Sequence, residues 1–230
     1  MAQTGDAERI GVWTFATFAV MMFALLVTVS NSDQLSLRVR RTIPPSRWKR
    51  ALAFLFFNGA AGGLVWVGGI LIATFFVTQA VMLSMPKAAY PSVLSNEGLT
   101  WFATTAAYAF AYSLTALFIQ RKFLAKRPPK LTGLIAVLLA SVWAVAPSIV
   151  LFFLNQLSWK SVEGLQLGNV FNVVSLRDEN QRLYHLYFAF GWLLVMLAVN
   201  AKWFLRQGKN FRPLEKTEKP PVIAEAPPAT

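Results

Sequence analysis

Apolar residues in this chain fall into five long blocks, at positions 10–30, 51–83, 99–119, 131–154 and 184–201, and polar residues fill the gaps between them. None of the 22 Lys and Arg residues and none of the 10 Asp and Glu residues lies inside a block. A soluble amphipathic helix would bring a charged face round at a period near 3.6 residues, and the blocks have no such face. A bilayer crossing takes about 20 mostly apolar residues, so four blocks predict one span each. The block at 51–83, 33 residues long, exceeds one perpendicular crossing.

That long block contains Asn58-Gly59-Ala60-Ala61-Gly62-Gly63. Glycine weakens a helix by about 1 kcal/mol relative to Ala, so Asn58, Gly59, Gly62 and Gly63 form the expected hinge. The pattern then reads as an interfacial helix over about 46–57, with Trp48, Lys49 and Arg50 at the headgroups, followed by a span over 62–83. The predicted fold class is all-α: a polytopic membrane helix bundle with spans at about 10–30, 62–83, 99–119, 131–154 and 184–204. Residues 1–212 make one membrane domain, and a Pro-, Glu- and Lys-rich tail at 213–230 is expected to be disordered. Pro147 lies within the fourth span and cannot bond the carbonyl of Trp143, so a kink or weakened turn is expected there. The small residues Gly59 and Gly63, and Ala103, Ala107 and Ala111, read as packing seams.

The gap at 155–183 mixes polar residues with Trp159, Val162, Leu165, Val170, Phe171 and Val173. Short external helices that dip into the outer leaflet before the last span, with a turn near Gly168 and Asn169, would bury these side chains.

The hydrophobic content of 56% exceeds the roughly 45–50% of soluble domains, which reinforces the membrane assignment. The net charge of +12 acquires meaning only from its placement. Along the four gaps the basic residues number 6, 1, 5 and 3, and the third gap has no acid. The positive-inside rule then makes the first and third gaps and the C-terminal segment cytoplasmic and the N-terminus external. The expected location is the bacterial inner membrane. The charge is thereby explained without nucleic acid as a partner. The leader before the first block has Asp6 and Glu8 beside Arg9, not the basic n-region of a signal peptide, and is expected to be retained. Zero Cys excludes disulfides and thiolate metal sites.

Candidate chemistry is sparse. His185 is the only histidine, and between Tyr184 and Tyr187 at the mouth of the last span it reads as an aromatic-belt residue. No HExxH, GxSxG or Walker A pattern occurs, so no catalytic residue, metal or cofactor is expected, and the chain is not expected to be an enzyme. Midplane Asp, Glu, Lys or Arg, on which ion-coupled carriers depend, is absent from the blocks. Intramembrane hydroxyls are expected to bond back onto their own helices.

The basic segment Arg38-Val39-Arg40-Arg41-Thr42-Ile43-Pro44-Pro45-Ser46-Arg47-Trp48-Lys49-Arg50, the Gly-broken span after it, and Gly168-Asn169-Val170-Phe171 before the last span resemble the later part of an ABC-2-type exporter permease. The stretch at 203–211 is similar in character. The resemblance is one of layout. It implies that a coupling helix meets a cytoplasmic ATPase through Arg38, Arg40, Arg41, Arg47, Trp48, Lys49 and Arg50, and that further membrane subunits are partners. Because that family's membrane domain has six spans and five are predicted here, it also implies a first span supplied by another polypeptide. A non-catalytic scaffold or assembly subunit of a larger membrane complex accounts for the same pattern without a sixth span.

Overall fold

The computed structural model describes residues 2–31, 35–57, 59–84, 95–154, 166–174 and 178–213. These residues form α1 (Ala2–Val29), α2 (Leu37–Thr42), α3 (Arg47–Phe56), α4 (Ala60–Ser84), α5 (Asn96–Phe123), α6 (Leu131–Phe153), a 3-10 turn (Asn172–Val174) and α7 (Glu179–Asn210). The fold is all-helical, and α1, α4, α5, α6 and α7 are long and apolar enough to cross a membrane. The apolar surface of these helices is suited to a lipid bilayer.

Local chemistry sets the helix ends. Ser95 caps α5 by accepting from the Gly98 N–H at 3.2 Å, and Asp178 caps α7 by accepting from the Asn180 N–H at 2.9 Å. Glu97 and Glu179 occupy the first turns of α5 and α7, and Arg121, Lys122 and Lys209 the last, each complementing the helix dipole. Ile43 is held extended before Pro44, which ends α2. α6 runs continuously through Pro147.

Inter-helix contacts fix the direction of each span. Thr14 of α1 bonds Thr78 of α4 at 3.2 Å, while Thr28 lies against Gly63, so α1 and α4 are antiparallel. Phe18 packs on Phe102 at 4.9 Å, which aligns α1 with α5, and Arg182 pairs with Glu97 at 3.0 Å, which aligns α5 with α7. Gly133 at the start of α6 abuts Ser30 just past the end of α1. The bundle is therefore up-and-down. α5 is its central helix, packed against α1, α6 and α7, whereas α6 is peripheral.

The break in the long block falls at residues 57–59. α4 begins at Ala60, two residues before the expected start, so Gly62 and Gly63 belong to the span and not to the connection. They serve close approach. A Cβ on Gly62 would stand 2.2 Å from the Phe54 carbonyl oxygen, and one on Gly63 would stand 2.4 Å from the Thr28 side chain, whereas one on Gly59 meets nothing within 4 Å. Asn58 and the expected tail from 214 onward lie outside the described residues.

Candidate functional site

Two features combine polar chemistry with a defined position. The first is a buried latch between α5, α7 and the turn around Gly168. The second is the basic pair α2–α3.

Tyr108 and Tyr112 are one helical turn apart on α5, and their rings stack with centroids 6.2 Å apart. The Tyr108 hydroxyl accepts from the Gly168 N–H at 3.0 Å and shares a hydrogen bond of 3.1 Å with His185 Nδ1. The Tyr112 hydroxyl donates to the Gly168 carbonyl oxygen. Both backbone polar groups of Gly168 are thus satisfied in an apolar setting, as non-helical backbone within a bundle requires. The Tyr108 hydroxyl keeps its own proton to donate to Nδ1 when the His185 ring carries its proton on Nε2, and it can accept from Nδ1–H in the other tautomer. Nε2 has no partner among the described residues, and neither do the buried Trp101 Nε1 and Thr105 Oγ1, which share the Tyr108 face of α5.

The turn itself is compact. Asn169 N–H donates to the Gln166 carbonyl at 2.8 Å, the Asn169 amide donates to Gln166 Oε1 at 3.1 Å, and Phe171 N–H donates to Asn169 Oδ1 at 3.0 Å. Gly168 has φ +99°, and a Cβ there would stand 2.6 Å from the Trp143 ring. Trp192 packs edge-on against Tyr112 at 5.0 Å and meets Trp143 at 5.6 Å, closing the cluster from α6 and α7. Val173 is buried against Ala107, Tyr108 and Ala189. Thus the expected turn near Gly168 and Asn169 is present and is followed by a single 3-10 turn among the described residues. The remainder of the expected external helices, at 155–165 and 175–177, lies outside them.

His185 is 1% exposed, whereas its neighbours Tyr184 and Tyr187 are exposed. It is a bundle residue and not part of an interfacial belt. A signal for this lay in the spacing: His185, Ala189, Met196 and Asn200 form the buried stripe of α7 at helical intervals. At the other end of that stripe, Asn200 donates to the Met196 carbonyl at 2.7 Å and to the Leu114 carbonyl at 3.3 Å, and accepts from Arg121. The Arg121 guanidinium lies 4.4 Å over the Trp203 ring. Thr104, Thr115 and Ser141 bond back onto their own helices, as expected of intramembrane hydroxyls, whereas Thr14 and Thr78 bond each other across two helices.

The basic pair is built differently. Arg38, Arg40 and Arg41 of α2 and Arg47, Trp48 and Lys49 of α3 are exposed, with Trp48 83% exposed and Arg50 half-buried. Ile43 is the buried anchor between the helices. α3 has no buried residue, and its C-terminal end is pinned where Phe54 and Phe57 meet Phe211 at 5.4 and 5.5 Å. The described residues at this end of the bundle, including Arg121, Lys122, Lys126, Arg127, Lys130 and Arg212, carry cations and no carboxylate, while Glu97, Asp178 and Glu179 lie at the other end. No group of three or more potential metal ligands occurs among the described residues.

No family model, no curated protein and no solved structure matches this chain.

Proposed function

We propose that this chain is the membrane-spanning subunit of an ABC-2-type export system, non-catalytic itself and driven by a separate cytoplasmic ATPase subunit. One observation carries the reading: α2 and α3 stand at the basic end with Arg38, Arg40, Arg41, Arg47, Lys49 and Trp48 exposed, and α3 meets the bundle near its C-terminal end, where Phe54 lies against Gly62 of α4 and Phe54 and Phe57 meet Phe211. Such a pair can transmit a push from a docked protein to the start of α4 without unpacking the spans. In this reading the basic end is cytoplasmic, the N-terminus is external, the host is the bacterial inner membrane, and other membrane subunits complete the assembly.

A scaffold subunit is the second reading, and α6 favours it. Leu134, Val137, Leu138, Val142 and Val145 are exposed along its length, a face that another membrane subunit could cover. Affinity purification from the native membrane separates the two readings. The export reading expects an ATPase subunit to co-purify with the wild type and to be lost when Arg40, Arg41 and Arg47 are replaced by Lys, since Lys keeps the charge but not the planar fork that grips carboxylates. An anionic lipid surface would bind both proteins alike. Co-purification of membrane subunits with no nucleotide-hydrolysing protein would overturn the export reading.

A further inference from the structure

The bundle does not close between α4 and the α5–α7 pair. α4 packs along α1, and a cleft of about 790 Å³ remains on its other side. The floor is buried: Phe18, Leu64, Leu99, Phe102, Ala107 and Leu114. The rim is exposed, with Ile72 and Phe76 on α4 and Phe190 on α7, so the cleft opens sideways toward lipid. Among the described residues its lining contains no charged, amide or imidazole group, and Thr14 and Thr74 are the hydroxyls there. Small residues give it width: Gly68, Gly69, Ala103 and Ala106 line it, and a Cβ on Gly69 would meet nothing within 4 Å.

Its shape selects the occupant. Leu99 to Leu114 on α5 covers about 22 Å at 1.5 Å per residue. An extended polymethylene chain lies along such a lining with no polar group left to satisfy, and the open side admits it from the bilayer. Charge selects the other half of the ligand. The lining reaches Phe204 on α7, next to Trp203, over which Arg121 is stacked, and the described charges at that end are all positive. We propose that the cleft is a binding site for an anionic phospholipid, with one acyl chain between α4, α5 and α7 and the headgroup at the Arg121 end. This site goes beyond the export reading and does not depend on it.

The test uses the full chain in mixed phosphatidylcholine–phosphatidylglycerol vesicles, with trace phosphatidylglycerol bearing a photoreactive diazirine near the end of one acyl chain. Adducts are mapped by peptide mass spectrometry. Labelling of 68–76 and 102–110 is expected to exceed that of the exposed α6 face around Val142 and Ile149 at least fivefold, and excess unlabelled phosphatidylglycerol should suppress only the former. Gly69→Leu and Ala106→Leu, which fill the cleft, should each lower cleft labelling about fivefold and leave α6 labelling unchanged. The same diazirine on phosphatidylcholine should label the cleft at least threefold less. Even labelling of all lipid-facing helices, or labelling that survives both substitutions, overturns the site. Equal labelling by the two lipids overturns the anionic headgroup. Cross-links between two copies through 68–76, without lipid adducts, assign the cleft to a second copy instead. The competition arm needs no variant, so a substitution that fails to fold leaves the outcome readable.

Discussion

Gly168 meets demands that no other residue satisfies. Its φ of +99° is strained for any side chain, its missing Cβ leaves room for the Trp143 ring, and its N–H and carbonyl are the groups that Tyr108 and Tyr112 hold. Gly168→Ala is expected to destabilise the folded chain by about 2–4 kcal/mol, since backbone strain and overpacking each cost about 1–3. Denaturant titration in detergent measures this. Pairing Gly168→Ala with Trp143→Leu should relieve the steric part and leave the backbone part, so a full rescue would show that the φ value is unimportant. Tyr112→Phe tests the polar half of the latch. It removes the proton that the Gly168 carbonyl accepts, and the expected loss is about 1–2 kcal/mol, because hydrogen bonds inside membranes average less than 1 and exceed that when a backbone group is orphaned. A loss under about 0.3 kcal/mol would mean that the carbonyl finds another donor. At the far end of the same stripe, Asn200→Leu should cost a similar amount, since it removes the acceptor of one Arg121 hydrogen bond and the amide that bonds the Leu114 carbonyl across to α5.

At the scale of elements, the glycine cluster at the α3–α4 junction separates two effects that composition merges. Glycine content predicts flexibility, but Gly62 and Gly63 lie inside α4, pressed on Phe54 and Thr28, and only Gly59 stands in the break. Gly59→Ala should therefore leave stability within about 0.5 kcal/mol, and Gly62→Ala should cost about 1–3 kcal/mol, because its Cβ meets a backbone oxygen that cannot swing aside. Thermal unfolding of the two variants checks the ranking, and equal losses would return both positions to a hinge role. The five blocks were legible because lipid imposes one simple rule, apolar side chains over about 20 residues, and α3 was legible because Trp48 and its flanking cations mark a headgroup position. The latch was not. It depends on which face of α7 turns inward, and the exposed Tyr184 and Tyr187 beside His185 suggest the interface when composition is read without phase. The cleft was equally hidden, since Ala103 and Ala107 look like a packing seam until α4 is seen to lean on α1.

Over the whole molecule, charge is divided between the two ends more sharply than packing needs. The cations of α2, α3 and the 124–130 connection cluster at one end, the pattern that the positive-inside rule expects of a cytoplasmic face. The proposed orientation would place Ser36 and Lys126 in the cytoplasm and Asn96 and Asn180 outside. Because the chain contains no Cys, single substitutions at these four positions can be compared with no background to remove. In intact cells an impermeant maleimide should label Asn96→Cys and Asn180→Cys and spare Ser36→Cys and Lys126→Cys, with the pattern reversed in inverted vesicles. The alternatives give distinct results. A fully reversed pattern keeps the bundle but moves α2–α3 away from nucleotide, removing the basis for an ATPase contact. Labelling of Ser36→Cys and Asn96→Cys from the same side would contradict a crossing by α4 between them, and with it the up-and-down arrangement that brings Thr14 to Thr78 and Thr28 to Gly63.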